Sequence, residues 1–261
     1  MNDESRDKHM TTGLLERKTV LVVGASTGIG ADTARLLARE GASVVLAARS
    51  EDGLRSVTEE LNDQGLSAAF IAGDVSSPAD VARFVDTAVE KFGRLDGAFN
   101  CAAMTQSGAL ADVSEADFDR IMAVNVKGTW LCIREETRVM RETGGGSIVN
   151  VSSIGGLRGS SGMGAYQATK HAVIGLTRTA AHDNGPDGIR VNVIAPGPIE
   201  TPMLDATRRA IPGGVEARIA ATPLRKAGTT TEVGDTVAWL LSDRSSHLSG
   251  VILPIDGGLV A

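Results

Sequence analysis

The sequence predicts a doubly wound α/β domain: a seven-stranded parallel sheet with helices on both faces. Three observations lead there. Short apolar runs alternate with longer amphipathic stretches along the chain. The apolar runs are nearly unbroken, as expected of strands covered on both faces. The chain is 42% hydrophobic but only 3% aromatic and holds 31 glycines, so its core is built from Ala, Val, Ile and Leu that allow close helix–sheet packing.

The elements read in order. TVLVVG (19–24) is the first strand, followed by a helix from 28 to 40. SVVLAA (43–48) is the second, followed by a helix over 51–63. AAFIAGD (68–74) is the third. The next helix is opened by Ser77 and Pro78 and closed by Gly93. LDGAFN (95–100) precedes a long helix over 114–141. GSIVNVSS (146–153) and IRVNVIAPG (189–197) flank a helix over 164–184, and VILPIDGG (251–258) is the last strand. No linker, repeat or low-complexity segment divides the chain. It reads as one domain over 13–261 behind a charged, mobile leader at 1–12. The longest irregular stretch, 197–230, is rich in proline and glycine; loops of that length often serve as substrate lids.

The composition excludes several functions. A net charge of −6 without basic blocks argues against nucleic acid or an anionic membrane as partner. No apolar run approaches the roughly 18 residues of a membrane span. Two cysteines, Cys101 and Cys132, are too few for a disulfide framework, so the protein is expected in the reducing cytoplasm. Both read as buried small hydrophobes. The four histidines lack partners at metal-ligand spacing, so no metal is expected; His171 and His182 read as structural.

In VVGASTGIGADTA (22–34), Gly24, Gly28 and Gly30 stand where the first strand becomes a helix. Glycine reaches positive φ and lets backbone amides approach a pyrophosphate at the helix's positive end. The spacing is G-x-x-x-G-x-G. It fits a tight turn alone, or a dinucleotide loop that also uses Ser26, Thr27 and Ile29. There is no G-K-[ST], which argues against a P-loop hydrolase. In a dinucleotide fold the end of the second strand distinguishes NAD from NADP. Here it reads Ala48-Arg49-Ser50. A guanidinium and a hydroxyl stand where a ribose-binding carboxylate would be. That favours NADP(H), with NAD(H) as the alternative. Arg49 could also be a solvated surface arginine, or pair with Glu51 or Asp52.

Tyr166 is the chain's only tyrosine, and Lys170 follows one helical turn later. Positions i and i+4 share a helix face, so the two side chains project together. A phenol titrates near pH ~10, and a neighbouring cation favours its ionised form.

GASTGIG, GDV (73–75), NCAA (100–103), VN (124–125), VNVSS (149–153), YQATK (166–170), PGPIET (196–201) and LPIDGG (253–258) come in the order and spacing of the short-chain dehydrogenase/reductase family. The chain resembles that family's single-domain branch over nearly its whole length. The resemblance implies a Rossmann-like fold and hydride transfer between nicotinamide and a secondary alcohol or ketone. It implies Tyr166 as acid/base and Lys170 as the group that tunes Tyr166 and grips the nicotinamide ribose. Ser153 would hydrogen-bond the substrate oxygen, and Asn125 would hold a water linking Lys170 to solvent. Asp74 and Val75 would meet the adenine. Asn100 and Ala102 would line the cofactor cleft, as would Pro196, Gly197, Ile199 and Thr201. Val23, where the family often has Thr, and NCAA, in place of the commoner NNAG, depart from the pattern without touching the proton-transfer groups.

The expected enzyme is an NADP(H)-preferring alcohol dehydrogenase or carbonyl reductase acting on a small or medium-sized, largely uncharged molecule. Ile154, Gly155, Met163 and Met203 would wall the substrate pocket with Ser153 and Tyr166. The arginines and lysine of 197–230 could serve an acidic substrate, but are expected to face solvent. The runner-up is an NAD-dependent secondary alcohol or sugar dehydrogenase. A non-catalytic dinucleotide sensor is disfavoured because Ser153, Tyr166 and Lys170 are all present. The family also implies a homotetramer, or else a dimer, packed through the helices at 114–141 and 164–184.

Overall fold

The computed structural model describes residues 13–210 and 213–261; the leader expected at 1–12 lies outside them. Seven strands form one parallel sheet: β1 (Thr19–Val23), β2 (Ser43–Ala48), β3 (Ala68–Ala72), β4 (Gly97–Asn100), β5 (Gly146–Val151), β6 (Ile189–Pro196) and β7 (Ile252–Ile255). Their spatial order is β3-β2-β1-β4-β5-β6-β7. The order reverses between β1 and β4, and ligands bind outside the carboxyl ends of the strands at such a switch point.

Successive side chains of a strand point to opposite faces. Val20 and Val22 of β1 therefore pack with Leu37 of α1 (Gly28–Arg39), Leu54 and Val57 of α2 (Glu51–Asp63), and Val237 of α9 (Thr230–Leu241). Leu21 and Val23 pack on the other face. Their neighbours there are Phe84 and Val85 of α3 (Pro78–Phe92), Leu131 of α5 (Gly128–Thr143) and Ala180 of α6 (Gly164–Asn184). The sheet is thus a buried middle layer, and its C-terminal edge is where polar residues surface.

Helix ends follow local chemistry. The Ser77 hydroxyl accepts from Asp80 N at 3.3 Å, Pro78 opens α3, and Gly93 ends it at φ 81°. Three regions differ from the sequence reading. The helix expected over 114–141 is α4 (Glu115–Met122), a π-helical turn (Ala123–Lys127) and α5. A π turn inserts one residue into the helical ladder and often marks a functional position; here it holds Asn125. The 197–230 stretch carries two helices, α7 (Pro202–Ala210) and α8 (Gly214–Ala220). Helix α9 follows, and it starts with a capping box: Glu232 N donates to Thr229 Oγ1 (3.2 Å) and Thr229 N to the Glu232 carboxylate (2.8 Å). That signature is present in the sequence as Thr229-Thr230-Thr231-Glu232. β2 and β4 end where expected; β1, β3, β5 and β6 stop one or two residues short because the residues beyond them turn into the cavity loops, and β7 stops three residues short.

Candidate active site

A cavity of about 730 Å³ opens at the C-terminal edge of the sheet. Every expected cofactor and substrate residue lines it except Asn100; of the four expected catalytic residues, only Asn125 is off its wall.

The nucleotide end is built by the β1–α1 turn. Gly24 sits at φ 92° and Gly28 at φ 58°. A Cβ on Gly24 would lie 2.6 Å from Ala102 N, and one on Gly30 would overlap the Gly24 carbonyl oxygen. The turn therefore passes against the β4 loop in a way only glycine allows. Thr27 precedes α1 with no side-chain cap, so the first-turn amides of this 12-residue helix have no side-chain acceptor. Such a terminus binds a pyrophosphate. The residues present thus fit a dinucleotide.

Beside this turn, Asp74 is fixed by Ser76, whose N and Oγ donate to its Oδ1 at 2.8 and 2.7 Å. The Ser76 amide holds the Asp74 carboxyl below its ordinary range, and the charge of Arg49 adds to that effect. Arg49 is exposed on the cavity lip and forms no ion pair among the described residues; Glu51 pairs with Arg55 instead, at 2.6 Å. Ser50 caps α2 by accepting from Gly53 N, which leaves its O–H available for donation.

The proton-transfer groups come from β5 and α6. Ser153 follows β5 in extended conformation and starts a short 3₁₀ turn; its Oγ accepts from Gly155 N at 3.1 Å. Gly156 lets that turn dock on α6, since a Cβ there would sit 2.7 Å from the Lys170 carbonyl oxygen. Ser152 Oγ donates to the same carbonyl at 2.8 Å. Lys170 is only 3% exposed. Its Nζ donates to the Val151 carbonyl at 2.9 Å and stands 5.6 Å from the Tyr166 ring centre. Burial lowers the Lys170 pKa to about 8, while burial raises that of Tyr166 and the Ser153 hydroxyl opposes the rise. At neutral pH Lys170 still carries its proton for the most part, and Tyr166 rests as a phenol.

Two expected residues turn elsewhere. The Asn125 side chain is 1% exposed and fully engaged. Its Oδ1 accepts from Met104 N (2.9 Å), and its Nδ2 donates to the Met104 carbonyl and to Thr169 Oγ1 (both 3.0 Å). It ties the π turn to the β4 loop and to α6. The Asn100 side chain points into the core and donates to Glu136 and Asn150, both at 3.0 Å. Strand alternation explains this: Asn100 continues β4, so the cavity wall begins at the next residues, Cys101 and Ala102. Cys101 was expected to be buried; it is half-buried and lines the cavity, with its thiol pushed up to about 11 by burial.

The substrate end is closed by the 197–230 stretch. Gly228 N donates to the Pro198 carbonyl and Glu200 N to the Gly228 carbonyl, both at 2.9 Å, forming a neck. Thr201 Oγ1 accepts from Leu204 N at 3.2 Å and starts α7, whose first residues lie over Gly28. The basic residues of this stretch do not all face solvent. Arg218 of α8 lines the cavity, as does Arg158 beyond the 3₁₀ turn. The sequence marks Arg218 only as one of the basic residues of this stretch and gives no sign of Arg158.

A crevice at the switch point, a glycine turn under a helix and a Ser–Tyr–Lys cluster together define a dinucleotide-dependent oxidoreductase. A family model described as "Enoyl-(Acyl carrier protein) reductase" matches residues 24–260. The "A-factor type gamma-butyrolactone 1'-reductase (1S-forming)" of Streptomyces virginiae is 42% identical over 251 residues, which cover 94% of this chain and 96% of the relative. The "3-alpha-(or 20-beta)-hydroxysteroid dehydrogenase" of Mycobacterium tuberculosis is 40% identical over 250 residues, covering 96% and 92%. The crystal structure of a levodione reductase superposes with a TM-score of 0.89 at 35% identity, covering 94% of this chain and 98% of that one. The chain belongs to the short-chain dehydrogenase/reductase family. Its reaction class is NAD(P)-dependent hydride transfer at a secondary alcohol or ketone of a small molecule. Among the described residues, no helix is long and apolar enough to cross a membrane, and no three His, Cys, Asp or Glu side chains cluster as a metal site.

Proposed function

We propose that the protein is an NADP(H)-preferring carbonyl reductase whose proton donor is Tyr166. The observation that carries this reading is the convergence of Ser153, Tyr166 and Lys170 on the same cavity as the glycine turn. When bound, the nicotinamide supplies the hydride chemistry. The chain supplies position and proton. The Ser153 O–H and the Tyr166 phenol orient the substrate oxygen, and Tyr166 donates its proton there as negative charge develops. The Lys170 ammonium stabilises the resulting phenolate and holds the ribose. Asn125 acts through structure: its side chain fixes Met104 and Thr169, so any proton path past it uses its main chain. The buried phenol suits proton donation when the ketone is reduced. The relatives' printed names, a γ-butyrolactone 1'-reductase, a hydroxysteroid dehydrogenase and a levodione reductase, support a ketone or secondary alcohol carried on a ring-containing molecule. Tyr166→Phe should keep cofactor binding while losing on the order of 10²–10⁴-fold in turnover across a panel of cyclic ketones. Near-normal turnover would remove Tyr166 from the mechanism.

The cofactor preference rests on Arg49, which among the described residues has no carboxylate partner, on a cavity lip that lacks the ribose-binding acid. Its planar fork suits a 2′-phosphate. The double variant Ala48→Asp/Arg49→Ala should shift kcat/KM from NADPH towards NADH. A wild type that prefers NADH, or an unchanged ratio, would show that Arg49 does not read the phosphate. Assembly as a homotetramer through α5 and α6 fits Trp130, an aromatic left 44% exposed on α5. A cytoplasmic location fits the two free cysteines.

A further inference from the structure

We infer that the substrate end of the cavity recognises an anion, so that the ketone reduced there carries a carboxylate remote from its carbonyl. The inference rests on the reading of the cavity as a reductase site and names its substrate class. It starts from two guanidiniums, those of Arg158 and Arg218, which line the cavity on the side of Met163 and Met203.

Arginine 218 is half-buried, and the hydrogen-bond partner its guanidinium meets is a thioether: both terminal nitrogens lie 3.8 Å from Met163 Sδ. A thioether is a weak acceptor and offers no charge to five N–H donors. Arg208, on the preceding helix of the same stretch, makes the contrast. It reaches Glu200, Asp205 and Glu216 at 2.8, 2.8 and 3.1 Å. The carboxylates near α7 and α8 are therefore engaged by Arg208, and Arg218 has none among the described residues. Arg158 likewise forms no ion pair there; its one polar contact is a long 3.5 Å approach to the Leu259 carbonyl. The loop that carries it is held by Gln167, whose side chain accepts from Ser160 N at 3.0 Å. Gln167 lies one residue beyond Tyr166, so the loop is tied to the catalytic helix.

The charge around the cavity points the same way. Among the described residues its only acidic lining residue is Asp74, at the nucleotide end and engaged by Ser76. Towards the substrate end stand Arg158, Arg218 and Lys170, with no carboxylate among the described residues. This positive field occurs in a chain of net charge −6. Guanidiniums bind carboxylates through paired, charge-assisted hydrogen bonds. A carboxylate entering the cavity would supply the partner that the fold withholds.

The test compares 4-oxocyclohexanecarboxylate with its neutral isostere, 4-oxocyclohexanecarboxamide, using the reduced cofactor. The wild type should prefer the carboxylate by about tenfold or more in kcat/KM, through KM. Arg218→Gln and Arg158→Gln should each reduce that ratio several-fold, and together bring it near one. Equal use of both ketones by the wild type, or a ratio that survives the double substitution, overturns the inference. A calorimetric titration of the cofactor-loaded protein with cyclohexanecarboxylate and cyclohexanecarboxamide reads the same site without turnover. Carboxylate binding that is tighter by a similar factor, and is lost in the double variant, supports the anion site even if neither ketone is reduced. In that outcome only the reductase reading fails. Equal binding of both ligands sinks the anion site alone.

Discussion

On the nucleotide side of the cavity the walls are main chain; on the substrate side they are side chains carried by two short helices. Gly24 presses the β1–α1 turn against the loop after β4, Gly30 lets the turn close on the Gly24 carbonyl, and a Cβ on Gly197 would fall 2.9 Å from Asp256 Cα. The turn is anchored by β1 and β4, strands buried along their whole length. Helices α7 and α8 instead stand on a neck of two backbone hydrogen bonds and a surface arginine shared by three carboxylates. The first construction holds one ligand in one pose. The second can change its lining residues without disturbing the sheet, so substrate choice can diverge while the chemistry stays put.

The most direct way to break this comparison is to add one methyl group on the main-chain side. Gly24→Ala would place a Cβ at φ 92° and 2.6 Å from Ala102 N. We expect a destabilisation on the order of 2–4 kcal/mol and loss of measurable dinucleotide binding. Thermal melting and a fluorescence titration with NADPH check both. A variant that melts and binds like the wild type would mean the turn is not the rigid element described here.

A second substitution sharpens the same half by relieving it. Asn100, Glu136, Asn150 and Thr177 form a buried polar chain behind the cavity floor, with bonds of 3.0 Å. Glu136 is 0% exposed, and its Oε1 and the Asn100 Oδ1 have no partner among the described residues. Burial holds its carboxyl at about 8, against an ordinary value of 4.5. Between those pH values the folded protein keeps a proton that the unfolded chain releases. Stability therefore falls as pH rises through that window and stays lower above it. Glu136→Gln keeps the shape, carries no charge and offers the missing donor. It should raise Tm by several degrees at pH 8 and by less at pH 5. An equal shift at both pH values would show that the carboxyl is not protonated in the fold.

How much of this was legible in the sequence follows the same division. Proton transfer requires particular residue types at fixed spacing, so Ser153, Tyr166 and Lys170 stand out in a string of letters. The glycine turn does too, because positive φ and close approach leave one choice. Side-chain direction does not stand out. Asn100 and Asn125 sit in the expected motifs, yet their amides serve the core and the π turn. Glu136 reads as one charge among many in Arg134-Glu135-Glu136. Its hidden signal is spacing, since it falls four residues after Cys132 and four before Met140, on the buried face of α5. Arg218 was opaque because α8 is short and its orientation depends on the Gly228 neck, a contact between residues far apart in the chain.

The smallest expected effect tests the side-chain half. Arg208→Ala removes the hub that joins Glu200, Asp205 and Glu216. All four groups are largely solvated, and exposed ion pairs contribute little to stability, so Tm should stay within about a degree or two. Dinucleotide affinity should not change, because the glycine turn does not depend on α8. The orientation of α7 relative to α8 does depend on Arg208, and Met203, Thr207 and Arg218 on those helices line the cavity. KM for a ketone should therefore rise a few-fold, with the liberated carboxylates of Glu200 and Glu216 free to compete for nearby cations. Raising the salt concentration would screen those charges and recover part of the loss. If Arg208→Ala instead weakened NADPH binding as much as ketone binding, the two sides of the cavity would be mechanically one, and the division between a main-chain half and a side-chain half would fail.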